Sequence, residues 1–306
     1  MAQVSPKTGK ALAWIPVALL GVFIVAPQLA MILYAFFANG QFTLSGFQGL
    51  FDDSAFYSSL GLSVIIAVTT VVVLIITLVP AVVAVHLWAP KLSGTLSILC
   101  TLPLVIPAIA LVAGLLQILR TMSATGRGTP LNALSMTLQN NDFPIALIGT
   151  YVVLCLPFTY RSINAALSSI PLKVFFEASS SLGAGTWKTL FSIVLPNIRG
   201  SILFSAFFAF ALGFAEYTVA SVMSVRTLPV YMTTLSATNF RASIALSILS
   251  NFITWGLLAL AMVTAERAGK KSARNARRSK ASEKAETLDT AAAVATPATS
   301  PAQSAS

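Results

Sequence analysis

Few side chains in this sequence could carry covalent or acid–base chemistry, and they stand apart from one another. His86 is the single histidine, with no Cys, Asp or Glu at ligand spacing. A metal site needs several such donors converging, so His86 reads as the end of an interfacial helix. Cys100 and Cys155 both fall within apolar runs and read as small buried residues, with neither a disulfide nor a metal pair expected. No GxxxxGK followed by Ser or Thr occurs, so nucleotide is not held in the P-loop manner. No Ser-His-Asp set and no paired intramembrane carboxylates present themselves. Two acids remain. Glu216 lies in a long apolar stretch, where a mid-bilayer charge costs roughly 2.5–3.5 kcal/mol on insertion scales and so faces a cavity or a partner. Glu177 lies in a polar, punctuated segment from Pro171 to Pro196. Such an inventory suits mechanical or permissive work, not catalysis.

The elements that position these residues are set by composition. Of 306 residues, 56% are hydrophobic and 9% charged, against about 25% charged in a soluble domain. The chain therefore reads as an all-α integral membrane protein. A net charge of +10 could suggest nucleic acid, but most of the basic residues flank apolar spans or follow Glu266. That is juxtamembrane charge meeting anionic lipid, and no folded basic domain is left to bind nucleic acid.

Six spans are expected over residues 11–265, after a short polar N-terminus at 1–10. The first runs from Ala11 to Phe37, longer than the core of a signal peptide and bent by Pro16 and Pro27. The second covers Ser59 to Trp88 and the third Thr95 to Leu119, with Pro103 and Pro107 inside it. A polar loop from Arg120 to Asp142 leads to the fourth, Phe143 to Tyr160. The fifth covers Ser201 to Met223, a loop spans Ser224 to Ala242, and the sixth covers Ser243 to Ala265. Residues 266–306, basic and then rich in Ala, Thr, Ser and Pro, read as a disordered tail. With six spans both termini share a side. Fifteen of the 19 basic residues fall on it, and Arg120, Arg127, Arg226 and Arg241 fall on the other. The positive-inside bias makes the termini cytoplasmic, together with the 171–196 segment.

Within that segment Pro171 suits the first turn of a helix. Leu172, Phe175, Phe176 and Leu182 keep a helical apolar spacing. Gly183 can take the left-handed conformation that ends a helix. Thr186 is placed to cap a second short helix, Trp187 to Val194, which Pro196 is expected to stop. Two short helices meet at a glycine corner.

Glu177-Ala178-Ser179, a gap of three, Gly183, a gap of nine, and Ile193-Val194-Leu195-Pro196 resemble the cytoplasmic EAA loop of binding-protein-dependent ABC importer permeases. Several fixed spacings agree at the expected place, between the fourth and fifth of six spans, and a lipid-bound amphipathic hairpin has no reason to reproduce them. Ser179 stands where that family usually has Ala, a small change that still packs closely. The resemblance covers most of the membrane-embedded chain and implies a type I ABC importer fold in a bacterial inner membrane. In that family the loop docks in a groove of a separate ATPase. It implies that Glu177 orients the coupling helix and that Gly183 makes the corner. Leu182 and Ala184 would supply the contact and Pro196 the exit into the fifth span, with Ala178, Ile193 and Leu195 also among the ATPase-coupling residues. The chain itself would hold no cofactor, and ATP and Mg would be bound by the partner ATPase. The expected partners are an ATPase dimer, a second permease (related chain or self), an extracytoplasmic solute-binding protein and membrane lipid.

Glu216-Tyr217-Thr218-Val219-Ala220, with Thr227-Leu228-Pro229-Val230-Tyr231, resembles the subgroup carrying polyamines, iron, thiamine, sulfate or phosphonates. Its layout is most like the second spermidine/putrescine permease, so a polyamine is the first expectation. Two roles stand for Glu216, with Tyr217 beside it: lining the translocation path or its gate, or a structural hydrogen bond to a neighbouring helix. Asn164, Asn251 and Thr254 are expected to bond between helices. An ion-coupled transporter or channel without an ATPase is the alternative function. It would need six spans without an internal repeat to dimerise into inverted halves.

Overall fold

The structure is a computed structural model that describes residues 6–38, 40–256, 259–260 and 263, with side chains from Trp14 onward. The first helix, α1 (Pro6–Phe36), carries Pro16 and Pro27 inside it. A two-residue antiparallel hairpin, β1 (Phe37–Ala38) and β2 (Gln41–Phe42), follows. The long helix α2 (Ser54–Trp88) starts where the Asp53 side chain accepts from Ala55 N–H. After it come α3 (Ser93–Thr101), α4 (Ala108–Ser123), α5 (Pro130–Leu138) and α6 (Ile145–Ser168). The helices α7 (Leu172–Ser181) and α8 (Thr186–Thr189) lead into α9 (Leu195–Ala215). Then come α10 (Thr218–Val222), α11 (Leu228–Thr238) and a helical stretch at 240–256, here α12.

The core is a three-helix bundle of α2, α6 and α9, each packed on the other two. Small residues bring them close. A Cβ on Gly213 of α9 would stand 3.4 Å from the Ala67 Cα and 3.5 Å from the Tyr151 ring. Ser59, Ser63, Ala67 and Thr70 of α2 are buried on the same helix, in keeping with how membrane helices approach through small side chains. The α1 helix stands outside this core. Its most apolar stretch buries no residue, only Ala35 near its end is buried among its described side chains, and Asn251 of α12 donates to Gln28 Oε1 at 2.8 Å to hold it. Arg241 adds bonds to the Tyr34 and Phe37 carbonyls and lies over the Tyr34 ring.

The described residues hold four helices long and apolar enough to cross a membrane, plus one bent pair. The expected sixth span begins as α12, and the remainder of 243–265 lies mostly outside the described residues, as does the tail at 266–306.

Four expectations are corrected. The third span is not one helix. Its two halves, 90–104 and 108–123, are bent by 96°, because Pro103 and Pro107 remove two backbone donors within five residues and the chain cannot continue as α. The loop at 120–142 holds α5, capped by Thr129 and opened by Pro130. The loop at 224–242 holds α11. The fifth span, finally, starts earlier and ends sooner than expected. Pro196 does not stop the second short helix. Residues 186–215 form one apolar helical run that passes Pro196 through a π-helical turn at 190–194, where Leu195 N–H bonds to the Leu190 carbonyl. Pro196 has no N–H to give the Ser192 carbonyl, and the wider turn absorbs that defect. The run then stops at Ala215, eight residues short of the expected end.

Candidate functional site

The 171–196 segment is fastened at its base and bare at its tip. Leu172 at the start of α7 is buried, as are Leu190, Val194 and Ile198 beyond α8. They share one cluster with Leu78 and Val82 of α2 and Ile163 and Leu167 of α6. Burying each such side chain is worth about 1.5–3 kcal/mol, so the elbow is anchored to all three core helices.

At the tip α7 ends in a Schellman closure. Ala184 N–H bonds to the Ser179 carbonyl and Gly183 N–H to the Ser180 carbonyl, each at 2.9 Å. Gly183 takes φ +73°, the left-handed value that this closure demands and that glycine adopts without penalty. Glu177 and Ala178 lie exposed on α7, and Leu182, at the corner, is 88% exposed. Ala184, Ile193 and Leu195 are half-buried and Pro196 is exposed. The expected contact residues at the corner thus face outward. Ile193 and Leu195 instead sit at the root, where Asn197 Nδ2 caps the Ile193 carbonyl at 2.8 Å. Leu182 is thus a large apolar side chain left uncovered at a two-helix corner.

The second candidate, Glu216, does not lie within a helix. It is the extended residue (φ −74°, ψ 125°) between α9 and α10. Its carboxylate accepts from Val219 N–H at 2.9 Å through Oε2 and 3.1 Å through Oε1. The Tyr151 hydroxyl of α6 donates to Oε2 at 3.0 Å. The charge thus caps the N-terminus of α10, where a carboxylate is favoured, and ties it to α6. Tyr217 is partly exposed and engages the side chains of Ser221 and Thr233. Since α10 packs on α4, the broken ends of the third and fifth spans meet. Val112, Tyr151, Val219 and Ala220 form their shared core.

Asp53 was not singled out by the sequence, yet it joins two elements far apart in the chain. Its Oδ1 accepts from Ala55 N–H and its Oδ2 from the Tyr231 hydroxyl of α11. The Tyr231 bond, more than the Ala55 bond or the Arg226 charge, holds its carboxyl below the usual range. Nearby, Leu228 N–H donates to Ser63 Oγ at 2.7 Å, so α11 is fixed to the start of α2 at two points. His86 sits in the last turn of α2 with Nδ1 2.9 Å from the Val82 carbonyl, and Cys100 and Cys155 are buried free thiols.

Known proteins resemble this chain in sequence or in fold. A probable ABC transporter permease protein of Sinorhizobium fredii is 26% identical over 187 residues, 61% of each chain. The putrescine transport system permease protein of Escherichia coli is 28% identical over 81% of this chain and 91% of its own. The molybdenum transport system permease protein of the same species is 33% identical over 39% of this chain and 56% of its own. The chain thus spans somewhat under two thirds of the first and third of these relatives. In fold it is similar to a chain of a bacterial ABC transporter involved in the import of the acidic polysaccharide alginate, with a TM-score of 0.64 and 16% identity. That likeness covers 84% of this chain and 94% of that one. Residues 81–267, from the last turns of α2 through the elbow and past α12, match one family over more than half of the chain. The protein belongs to the family of binding-protein-dependent transport system inner membrane components.

Proposed function

We propose that this chain is the permease subunit of an ATP-driven importer, and that the elbow at 171–196 is where a separate ATPase moves it. The observation that carries the reading is the contrast within one segment: Leu182 bare at a Gly183 corner, and Leu190 and Val194 buried among α2, α6 and α9. Closure of an ATPase pair on bound ATP and Mg would displace the corner, and the buried root would rotate the bundle. Glu177 and Ala178 orient the α7 face against the ATPase, Leu182 and Ala184 make the contact, and Ile193, Leu195 and Pro196 carry the motion into α9.

The membrane is the inner membrane of a bacterium, with six spans and both termini cytoplasmic. The path forms against a second permease, and an extracytoplasmic binding protein delivers the solute. Glu216 and Tyr217, at the break where α10 meets α4, border the path. There the carboxylate sets the position of α10 rather than holding cargo alone, because its oxygens already accept four hydrogen bonds, from the Tyr151 hydroxyl and from the N–H groups of Val219 and Ala220. A polyamine is the first solute to test, given the likeness to a putrescine permease over most of both chains. The test is co-purification of the chain with its ATPase before and after Gly183→Asp. Loss of the ATPase from an intact permease is expected, and an unchanged yield of complex would contradict the docking role.

A further inference from the structure

We infer that the space between the end of α2 and the elbow is a seat for one acyl chain of an anionic phospholipid. This rests on reading the elbow as the cytoplasmic coupling element. A cavity of ≈ 340 Å³ lies there, lined by Pro80, Ala84 and Trp88 of α2 and by Phe176, Trp187 and Leu190 of the elbow. Pro80, Ala84 and Trp88 are four residues apart and form one stripe of the helix. The volume is roughly ten times the ≈ 30 Å³ that a water occupies. The polar side-chain groups in the lining are the Thr186 hydroxyl and the indole N–H groups of Trp88 and Trp187, with no charge among them, so the space suits hydrocarbon with an amphipathic edge.

The rim gives the headgroup. Trp88 and Trp187 are 66% and 67% exposed, the placement tryptophan takes at a membrane–water boundary. Lys91 follows Trp88 by three residues, Lys188 follows Trp187 directly, and Lys173 lies one turn before Phe176. All three are exposed. Exposed basic residues that neighbour the lining residues in the chain complement a negatively charged headgroup at a cytoplasmic boundary. A chain seated there would brace α2 against α7 and α8, so lipid charge would tune how firmly the elbow transmits motion.

The test is native mass spectrometry of the assembled, delipidated complex titrated with dioleoylphosphatidylglycerol or dioleoylphosphatidylcholine. One phosphatidylglycerol per chain should survive activation that strips phosphatidylcholine. Ala84→Trp, which fills the slot, should abolish that retention. The double variant Lys173→Gln/Lys188→Gln leaves the core untouched and should weaken retention roughly 25-fold, at about fivefold per charge. Equal retention of both lipids, retention unaffected by the double variant, or a slot open in the free chain but closed to lipid in the complex would each overturn the inference. ATPase co-purification from the same samples separates this result from failure of the coupling reading.

Discussion

The Tyr151 hydroxyl reaches across 65 residues of chain to donate to Glu216 Oε2 at 3.0 Å, and so fixes where α9 stops. Tyr151 is fully buried, and a hydrogen bond to a charged acceptor is worth about 1.5–3 kcal/mol. Tyr151→Phe is expected to lower stability by about that much, measured by thermal unfolding of the purified permease. Glu216→Gln keeps an acceptor for Val219 N–H but loses the charge at the α10 terminus. It is expected to slow uptake while the complex still assembles. Normal transport kinetics in that variant would remove Glu216 from the path.

Gly183 has open space around it. A Cβ there would meet nothing within 4 Å, yet φ is +73°. Within the free chain the cost of substitution is therefore backbone strain alone, about 1–2 kcal/mol for an ordinary residue and less for Asn. ATPase retention should fall in the order Gly, Asn, Ala, Val. Equal retention by all four would show that the corner is not needed.

Leu182 and Leu190 offer a comparison within one residue type. Leu182 is 88% exposed and Leu190 5%. Leu182→Ala should leave stability within about 0.5 kcal/mol and still uncouple ATP hydrolysis from uptake. Leu190→Ala should cost about 2–5 kcal/mol. Denaturation curves and transport assays on the two variants check this, and a stability loss in Leu182→Ala would contradict an outward-facing corner.

The tie between Asp53 and Tyr231 predicts a pH response. Because the Asp53 pKa is depressed in the fold, its contribution is present above the unfolded value of about 3.9 and is lost as pH falls below it. Tyr231 is pushed up to about 12, chiefly by burial and then by Asp53, so it stays a donor well beyond neutrality. Hydrogen exchange in α11 should rise as pH drops below about 4, after correction for the intrinsic rate. Asp53→Asn should flatten that dependence.

Much of this was legible in the sequence, for reasons that differ by element. The apolar runs show the long helices because a bilayer demands about 20 apolar residues. The elbow shows because its spacing is local: Glu177, Gly183 and Pro196 lie within one short stretch. Asn251 bonds to another helix, as its place in an apolar run suggests. The breaks were harder. Pro103 and Pro107 were visible, but whether a proline kinks a membrane helix or breaks it depends on what packs beside it. Pro196 misled because its missing donor is absorbed by a π turn. The start of α5 was marked by Thr129-Pro130, a capping residue before a first-turn proline, but the segment was too polar to be read as structure. That Glu216 would bond to a neighbouring helix was one of its two expected roles, but its partner Tyr151 left no local sign, and neither did Asp53–Tyr231, since each pair is brought together only by the packing of the helices.

The most direct measurement places a photo-crosslinking amino acid at position 182 in the intact complex, in membrane vesicles, with and without ATP. The account predicts a crosslink from this corner to the ATPase subunit whose yield changes with nucleotide. Crosslinks to lipid alone, or to a protein on the outer face of the membrane, would contradict it.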